Sequence, residues 1–303
     1  MKVSEVFHGL NEMPRPIGKP CDEVVGLAAV GIEIELENMQ LSSIPEGARN
    51  YWNLIEDHSL RSTDGNSVEM VIDGTVSGES IVEALRLAYE AIAPHNVSSR
   101  TALHVHLNVA DLKVTQVQDL LVLYVTLEEF FDSVGGGIRA FNNFSLGTKY
   151  SAGLLRLLGE FYHESPENTR RLLQRQGVGT QYRYAGVNLA SLLTLGSLEF
   201  RNRCTPVEMR DALLWVNLIL SLREYVVAFD GERIPFKALF EMMSGDVVRS
   251  MIGEVFHHPS VKEQVKKHID NVDFYGSMRR AQSVLLYKDA VEINGNILNS
   301  LGA

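Results

Sequence analysis

Three segments of this chain alternate between apolar and polar residues, and a period of two restricts each segment to a strand with one buried face. Residues 30–38 read VGIEIELEN, and residues 103–109 read LHVHLNV. Residues 198–203, LEFRNR, begin with the same alternation. Successive side chains of a strand point to opposite faces. The segments therefore predict a sheet that packs one apolar face on a core and lines the other with ionisable groups.

The order of the predicted elements indicates the fold class. Strands are predicted at 28–37, 51–56, 67–73, 102–109, 182–190 and 195–203, and helices at 79–92, 115–131, 150–162, 166–175 and from Pro206 to the C-terminus. This order lacks the regular strand–helix alternation of a parallel sheet, so an antiparallel α+β fold is expected. We expect an irregular arm at 1–27, an antiparallel-sheet domain with helical insertions and the candidate catalytic residues at 28–205, and a helical lobe at 206–303 packed on the same domain.

Composition excludes several classes of function. The formal net charge is −10, from 38 acidic and 28 basic side chains, and this balance disfavours non-specific binding to nucleic acid. The most apolar run, 212–222, has eleven residues and charged neighbours, whereas a bilayer needs about 20. Two distant cysteines and an N-terminus without an apolar core segment argue against secretion. We expect a cytoplasmic protein with a buried helix at 212–222 and no membrane partner.

Carboxylates lie on the first and third of the predicted strands. Glu33 and Glu35 are two positions apart on one strand, about 7 Å from each other. A solvated acidic face is the simpler interpretation, but neighbouring like charges repel, and bound cations would remove that conflict. Glu69 lies in an apolar strand, where it is either solvent-facing or part of the same site. Asp57 and Asp64 flank turns and are expected to form them.

Histidines occupy the polar side of the next strand. His104, His106 and Asn108 share one face, opposite the apolar residues of the same segment. Two histidines at alternate positions of a strand are an arrangement found in metal and phosphate sites. A lone histidine would more often be structural, so the pair favours a site.

The last predicted strand combines a carboxylate with guanidinium groups. Glu199, Arg201 and Arg203 are expected to face one way from it. This arrangement forms either a plain salt bridge or a metal ligand beside groups that neutralise phosphate oxygens. Arg183 and Asn188 on the preceding predicted strand add donors nearby. A loop after the glycines at 135–137 holds Arg139, Asn142 and Asn143.

The order of these groups resembles the glutamine synthetase and glutamate–cysteine ligase superfamily. The stretches GIEIELE, DHSL, HVHLNV, VNLASL and LEFR, with the Glu69 strand between the second and third, resemble the amidoligase family more closely. That family is a group of carboxylate–amine ligases found in phages and bacteria. The resemblance covers 30–205 and departs from the family after Glu69, where VIDG stands in place of a Ser-Pro turn.

The resemblance implies a curved antiparallel sheet, a half-barrel of the glutamine synthetase type, whose concave face holds ATP and two or three Mg²⁺ or Mn²⁺ ions. The ion that bridges the ATP phosphates would be held by Glu33, His104 and Glu199. The ion nearer the substrate carboxylate would be held by Glu35 and Glu69, with Asp57 as a further candidate. Catalytic roles fall to Arg201, which would stabilise the transferring phosphoryl group, and to Glu69. Nucleotide binding falls to His106, Arg183, Asn188 and Arg203.

The implied reaction joins a small-molecule or peptide carboxylate to an amine through an acyl phosphate. The chain lacks a glycine-rich phosphate loop of the Walker type, so the nucleotide would be held through metal ions and the sheet. Three alternatives remain open. They are a guanidino-kinase-like phosphotransferase on the same fold, a metallohydrolase that uses His104, His106 and Glu199 without ATP, and a non-catalytic binding or structural protein.

Overall fold

The computed structural model of this chain describes residues 1–7, 18–136, 145–230, 232–236, 245–270 and 272–288. Within these ranges the protein is α+β, with one open six-stranded sheet whose neighbouring strands are all antiparallel. The strands are β1 (Val30–Met39), β2 (Trp52–Glu56), β3 (Asn66–Ile72), β4 (Ala102–Asn108), β5 (Val187–Asn188) and β6 (Ser197–Cys204), in the order β2-β3-β1-β4-β6-β5.

Helices flank this sheet. In chain order they are α1 (Val3–Val6), α2 (Glu79–Tyr89), α3 (Val114–Thr126), α4 (Glu128–Gly135), α5 (Ala152–His163), α6 (Pro166–Arg175), α7 (Val178–Gln181), α8 (Ala190–Thr194), α9 (Met209–Val227), α10 (Gly245–Val255), α11 (Pro259–Ile269) and α12 (Tyr275–Leu285). No helix in the described ranges is both long and apolar enough to cross a bilayer.

One apolar face of the sheet packs on the helices. Ile32 and Ile34 of β1 are fully buried, and Trp215 of α9 is buried against Phe131 of α4, with ring centroids 5.4 Å apart. Burying a large apolar side chain contributes about 1.5–3 kcal/mol. The apolar run at 212–222 is part of α9, and its burial confirms the expected core helix. The same apolar cluster extends from the N-terminal residues to α12, so the helices after Pro206 share the core of the sheet.

Two predicted elements differ from the observed ones. The helix expected over 115–131 is interrupted at Leu127, where the hydroxyl of Thr126 donates a hydrogen bond of 2.8 Å to the carbonyl of Val122. Bonds of this type bend helices. The strand expected over 182–190 is reduced to Val187–Asn188, because Oδ1 of Asn188 accepts from the backbone N–H of Ala190 and turns the chain into α8. The other strands and helices up to residue 175 lie within a few residues of their predicted bounds.

A β-bulge in β6 divides that strand into two parts. Phe200 pairs with Val105 of β4, but the next pair along β4 joins Leu103 to Arg203, so β6 has an extra residue here. Beyond the bulge, Arg203 donates to the backbone carbonyl of Val134 in α4, on the helical side of the sheet. The expectation that Arg203 shares a face with Glu199 and Arg201 is therefore wrong, because the bulge interrupts the alternation.

Part of the predicted N-terminal arm is held by hydrogen bonds. The backbone N–H of Val3 donates to the carbonyl of Leu112, and Asn217 of α9 accepts from Val25 and donates to the carbonyl of Glu23. Residues 8–17 of the arm lie outside the described residues, as does the loop of Arg139, Asn142 and Asn143. The division into arm, sheet domain and helical lobe stays a prediction.

Candidate metal centre

The register of four strands brings the predicted polar residues together on the open face of the sheet. Glu33 of β1 pairs with His104 of β4, and Glu35 pairs with Glu69 of β3. On the other side of β4, His106 pairs with Glu199 of β6. Each pair is directly opposed across adjacent strands, where side chains of the same face are in contact range. The open face therefore carries a contiguous cluster of carboxylates and imidazoles.

His104 is buried in the middle of this cluster. Its side chain is 1% exposed, and its Nδ1 lies 3.1 Å from Oε2 of Glu33 and 3.8 Å from Oε1 of Glu199. Its Nε2 is buried and has no hydrogen-bond partner in the part of the chain that the structure describes. That nitrogen lies 3.7 Å from Oε1 of Glu35. A buried polar atom without a partner is costly, so a ligand at this nitrogen would stabilise the site.

His106 contacts the same glutamate from a neighbouring position. Its Nε2 lies 3.1 Å from Oε1 of Glu33 and 4.0 Å from Oε1 of Glu199. Its other ring nitrogen lies 3.4 Å from the hydroxyl of Ser197. Glu33 therefore faces the two histidines with its two different oxygens, Oε2 towards His104 and Oε1 towards His106.

Glu199 is held from two sides. Arg201 donates from its guanidinium to Oε1 of Glu199, and the side-chain amide of Asn188 donates to Oε2 at 2.6 Å. Both oxygens of this buried carboxylate are thus oriented by fixed donors. The side-chain oxygen of Asn188 accepts from the backbone of Ala190, so this amide positions Glu199 through groups that are already bonded.

Two overlapping groups of side chains in the described residues have metal-ligand spacing. One consists of Glu33, His106 and Glu199, and the other of Glu33, Glu69 and His104, with the ligand atoms of each group within 4.8 Å of one another. The resemblance instead grouped His104 with Glu199 and left His106 to the nucleotide. Glu35 stands outside both groups but contacts His104. The assignment of ligands to particular ions stays a prediction.

The electrostatics of the cluster reflect closely spaced carboxylates. Burial raises the pKa of Glu33, but the hydrogen bonds with His104 and His106 outweigh it and hold that pKa well below its usual range. Burial and the charges of Glu33 and Glu35 raise the pKa of Glu69 to about 8. Burial lowers the pKa of His106, but the contact with Glu33 outweighs it and raises that pKa overall. These carboxylates repel one another, and a divalent cation would relieve that repulsion.

A polar cavity of about 260 Å³ adjoins the cluster on the side of Glu69. Four of its lining residues were not predicted as site residues, because they come from turns without a regular pattern: Ser59, Leu60, Arg100 and Tyr184. Arg100 forms a bidentate pair with the buried Glu37, and Arg183 stacks on the ring of Tyr184 at 4.7 Å. Guanidinium groups and carboxylates both line this cavity, from Arg100, Arg183, Arg201, Glu35, Asp57 and Glu69.

A second cavity, of about 270 Å³, lies on the other side of the cluster. Glu33 and His106 contribute to it, and most of its remaining wall is apolar or uncharged. The other residues that line it are Gly31, Ile32, Val71, Ile72, Gly74, Thr75, Thr194, Leu195 and Ser197. Leu195, which precedes the positive-φ Gly196, is 48% exposed in this wall, and no pattern in the sequence indicates the cavity.

The predicted site residues divide into three groups. Those that meet at the cluster or in the polar cavity are Glu33, Glu35, Glu69, His104, His106, Arg183, Asn188, Glu199 and Arg201. Asp57 lines the polar cavity while both its oxygens accept hydrogen bonds from Ser59, which agrees with its expected turn role. Arg203 lies on the helical side of the sheet and contacts none of the cluster residues among its described bonds.

No protein-family model and no curated protein matches this chain.

Proposed function

We propose that this protein is an ATP-dependent carboxylate–amine ligase of the amidoligase family, with a half-barrel sheet of the glutamine synthetase type. The observation that carries the proposal is the convergence of Glu33, Glu69, His104, Glu199 and Arg201 on one open face between two cavities. A ligase of this type needs metal ligands, a cation for the phosphoryl group and room for a nucleotide and two further substrates.

The donor set fits divalent ions. Carboxylate oxygens are ligands of both Mg²⁺ and Mn²⁺, an imidazole nitrogen favours the transition metal of the two, and the unpartnered Nε2 of His104 lies among these groups. The residues that would hold the ions are Glu33, Glu35, Glu69, His104, His106 and Glu199. Bound ions would neutralise the charge of the triphosphate beside a substrate carboxylate.

Arg201 would stabilise the phosphoryl group during transfer. Its guanidinium is fixed by Glu199, which Asn188 holds in turn, so its position is set before substrate binds. Its side chain is 14% exposed and lines the polar cavity, where a guanidinium fork can donate to phosphoryl oxygens. A preorganised donor of this kind lowers the barrier because it needs no rearrangement when charge develops.

The two cavities suit different substrates. The apolar cavity has the chemistry to hold the nucleobase, with the phosphates directed towards Glu33 and His106. The polar cavity carries Arg183 and Arg201, which attract a carboxylate, and Asp57 and Glu69, which attract an ammonium group. The acid and the amine would both bind there.

In the proposed reaction, a carboxylate oxygen of the acid attacks the γ-phosphorus of ATP, which gives an acyl phosphate and ADP. The amine nitrogen then attacks the acyl carbon, the C–O bond to phosphate breaks, and an amide and inorganic phosphate are formed. Glu69 lies beside the binding region and would take the proton that the amine loses.

The test is ADP release in a matrix of candidate acids and amines with Mg²⁺ or Mn²⁺, followed by mass spectrometry of the product. We expect ADP formation that requires both an acid and an amine and yields a product lighter than their sum by one water. The Glu199→Gln variant should be inactive, and the exposed Glu46→Gln variant should match the wild type. ADP formation without a condensed product, with a guanidino substrate phosphorylated instead, would favour the phosphotransferase alternative.

A second candidate is a metal-dependent hydrolase. It is favoured by the group of Glu33, His106 and Glu199, because one imidazole and two carboxylates leave coordination positions open for water. This activity would need the metal but no nucleotide. Hydrolysis of model amides or esters in the absence of ATP, and its loss on chelation, would identify it.

A further inference from the structure

The two oxygens of Glu33 face two different imidazoles. Oε1 lies 3.1 Å from Nε2 of His106, and Oε2 lies 3.1 Å from Nδ1 of His104. Because a carboxylate has two donor oxygens, this orientation presents one oxygen to each histidine. Glu33 is also the residue shared by the two groups with metal-ligand spacing.

These separations match ligands of a common ion. Two ligands that each lie about 2.1 Å from an ion are about 3.0 Å apart at a right angle and about 4.2 Å apart when opposite. His106 lies 3.1 Å from Glu33 and 4.0 Å from Glu199, which is within this range. His104 lies 3.1 Å from the other oxygen of Glu33. The side chains therefore need little movement to replace their mutual hydrogen bonds with bonds to ions.

A second observation shows an open ligand position. Nε2 of His104 is buried, has no hydrogen-bond partner among the described residues and lies 3.7 Å from Oε1 of Glu35. Whichever nitrogen of His104 binds an ion, the other would then be next to a carboxylate. A carboxylate beside a metal-bound imidazole fixes the ring and strengthens it as a ligand.

We propose that Glu33 bridges two divalent ions. Oε1 would bind the ion held with His106 and Glu199, and Oε2 would bind the ion held with His104 and Glu69. This differs from the ligand sets that the family resemblance implies, because each ion receives one imidazole and both receive Glu33. Paired catalytic ions joined by such groups are typically about 3.5–4 Å apart, a span that one carboxylate can bridge.

The donor sets also select the metal. Each ion would have one nitrogen and two carboxylate ligands, and imidazole suits Mn²⁺ and later transition metals better than Mg²⁺, which prefers oxygen. We expect Mn²⁺ to bind at least about tenfold more tightly than Mg²⁺. The proposal takes its site from the proposed function, but its test counts ions rather than product, so the two can fail separately.

The experiment measures Mn²⁺ stoichiometry by calorimetry and by metal analysis after gel filtration, with electron paramagnetic resonance of the loaded protein. We expect two Mn²⁺ per chain in the wild type and a spectrum of exchange-coupled ions. His106→Gln and His104→Gln should each retain one ion and lose the coupling. The exposed His95→Gln and Glu46→Gln variants are matched controls and should retain two coupled ions.

The bridge is tested directly by Glu33→Gln, which should lower the affinity of both sites. Circular dichroism verifies its fold, and if the variant does not fold, the wild-type spectrum and the two histidine variants decide the question. One Mn²⁺ per chain, two ions without coupling, or full stoichiometry in His106→Gln would overturn the proposal. Two coupled ions in a protein that forms no ADP with any acid and amine would retain the bridge and count against the ligase.

Discussion

Nε2 of His106 lies 3.1 Å from Oε1 of Glu33, although His106 is paired across the sheet with Gly31 and not with Glu33. The contact is therefore diagonal: it joins β4 to the adjacent strand β1, two residues along β1 from the residue that is paired with His106. A Cβ atom at Gly31 would lie 3.3 Å from Cβ of His106, which is closer than most such contacts. The absence of a side chain at residue 31 therefore leaves the imidazole room to lean towards Glu33.

Replacing Gly31 by valine should weaken metal binding while the fold persists. The branched side chain would displace His106, but valine is favourable in a strand and the φ of Gly31 is not positive. We expect Mn²⁺ affinity to fall by about 10- to 100-fold, the range found for groups that position metal ligands. Calorimetry measures the affinity, and Gly47→Val, at an exposed glycine away from the cluster, is the control. Unchanged affinity in Gly31→Val would show that His106 does not depend on this space.

Nucleotide binding should require a divalent ion and should depend on Glu199. The Glu199→Gln change keeps the size of the side chain but removes a charged ligand that Asn188 and Arg201 hold in place. We expect Mg-ATP affinity to fall by about tenfold or more, since an outer partner alone is worth that much. Isothermal calorimetry with and without a chelator measures this, with Glu46→Gln as the control. Wild-type affinity in the variant would remove Glu199 from the nucleotide site.

Arg201 should act in phosphoryl transfer and not in folding. Arg201→Lys keeps the charge but loses the planar fork that contacts Glu199 and lines the polar cavity. We expect turnover to fall by about 10² or more, as for loss of one transition-state donor. Turnover and thermal unfolding are measured together. A matched test is Arg210→Lys, at an exposed arginine, which should leave turnover unchanged. Full turnover in Arg201→Lys, or its unfolding, would contradict the role.

ATP should be converted to ADP and phosphate rather than to AMP and pyrophosphate. Several carboxylates and Arg201 converge on a small region of the open face, which suits attack at the terminal phosphate. If the acyl phosphate forms, ¹⁸O from a labelled carboxylate substrate should appear in the released phosphate. Mass spectrometry of the phosphate checks this. Release of AMP, or unlabelled phosphate during confirmed amide formation, would rule out the acyl phosphate route.

Asp132 should make stability depend on pH. Burial and the nearby charge of Glu128 raise the pKa of Asp132 to about 7. The folded protein then keeps a proton that the unfolded chain has already released between about pH 4 and pH 7. The contribution of Asp132 to stability is therefore complete at low pH and is lost as the pH rises to 7. Through this group the free energy of unfolding falls by at most about 1.4 kcal/mol for each unit that the pH rises.

The Asp132→Asn variant should lose this slope, because the amide does not titrate and can still bond to its neighbours. Urea unfolding at pH 5 and pH 8 should show that the stability of the variant relative to the wild type is greater at pH 8. Glu46→Gln serves as the control, since the side chain of Glu46 is exposed. If the free energies of unfolding of Asp132→Asn and the wild type differ by the same amount at both pH values, a raised pKa of Asp132 is excluded.

Much of the open face was predictable from alternation alone. The segments with Glu33, Glu35, His104 and His106 form strands, and these residues face the same side, because a strand with an apolar face has one stable orientation on its core. Register was not predictable in the same way. The pairing of His106 with Glu199, and the sharing of Glu33 between two histidines, depend on how far each strand slides along its neighbour.

The errors have local causes. The alternation of β6 ends at Asn202, since residues 201–203 are all polar, so the sequence does not show which face Arg203 takes or that an extra residue is accommodated opposite His104. Arg100 and Tyr184 line the polar cavity from turns, where no periodicity indicates the direction of a side chain. The short strand at Asn188 ends because that side chain caps α8, a bond that competes with strand pairing.

The bulge in β6 has an evolutionary consequence. Before it, Glu199 and Arg201 belong to the open face, whereas after it Asn202 donates to the hydroxyl of Tyr124 and Arg203 bonds to α4. The extra residue absorbs a change of direction, so one short strand serves two different environments. Mutations after the bulge can remodel how the helices pack without turning Glu199, and mutations before it can alter the chemistry without disturbing the core.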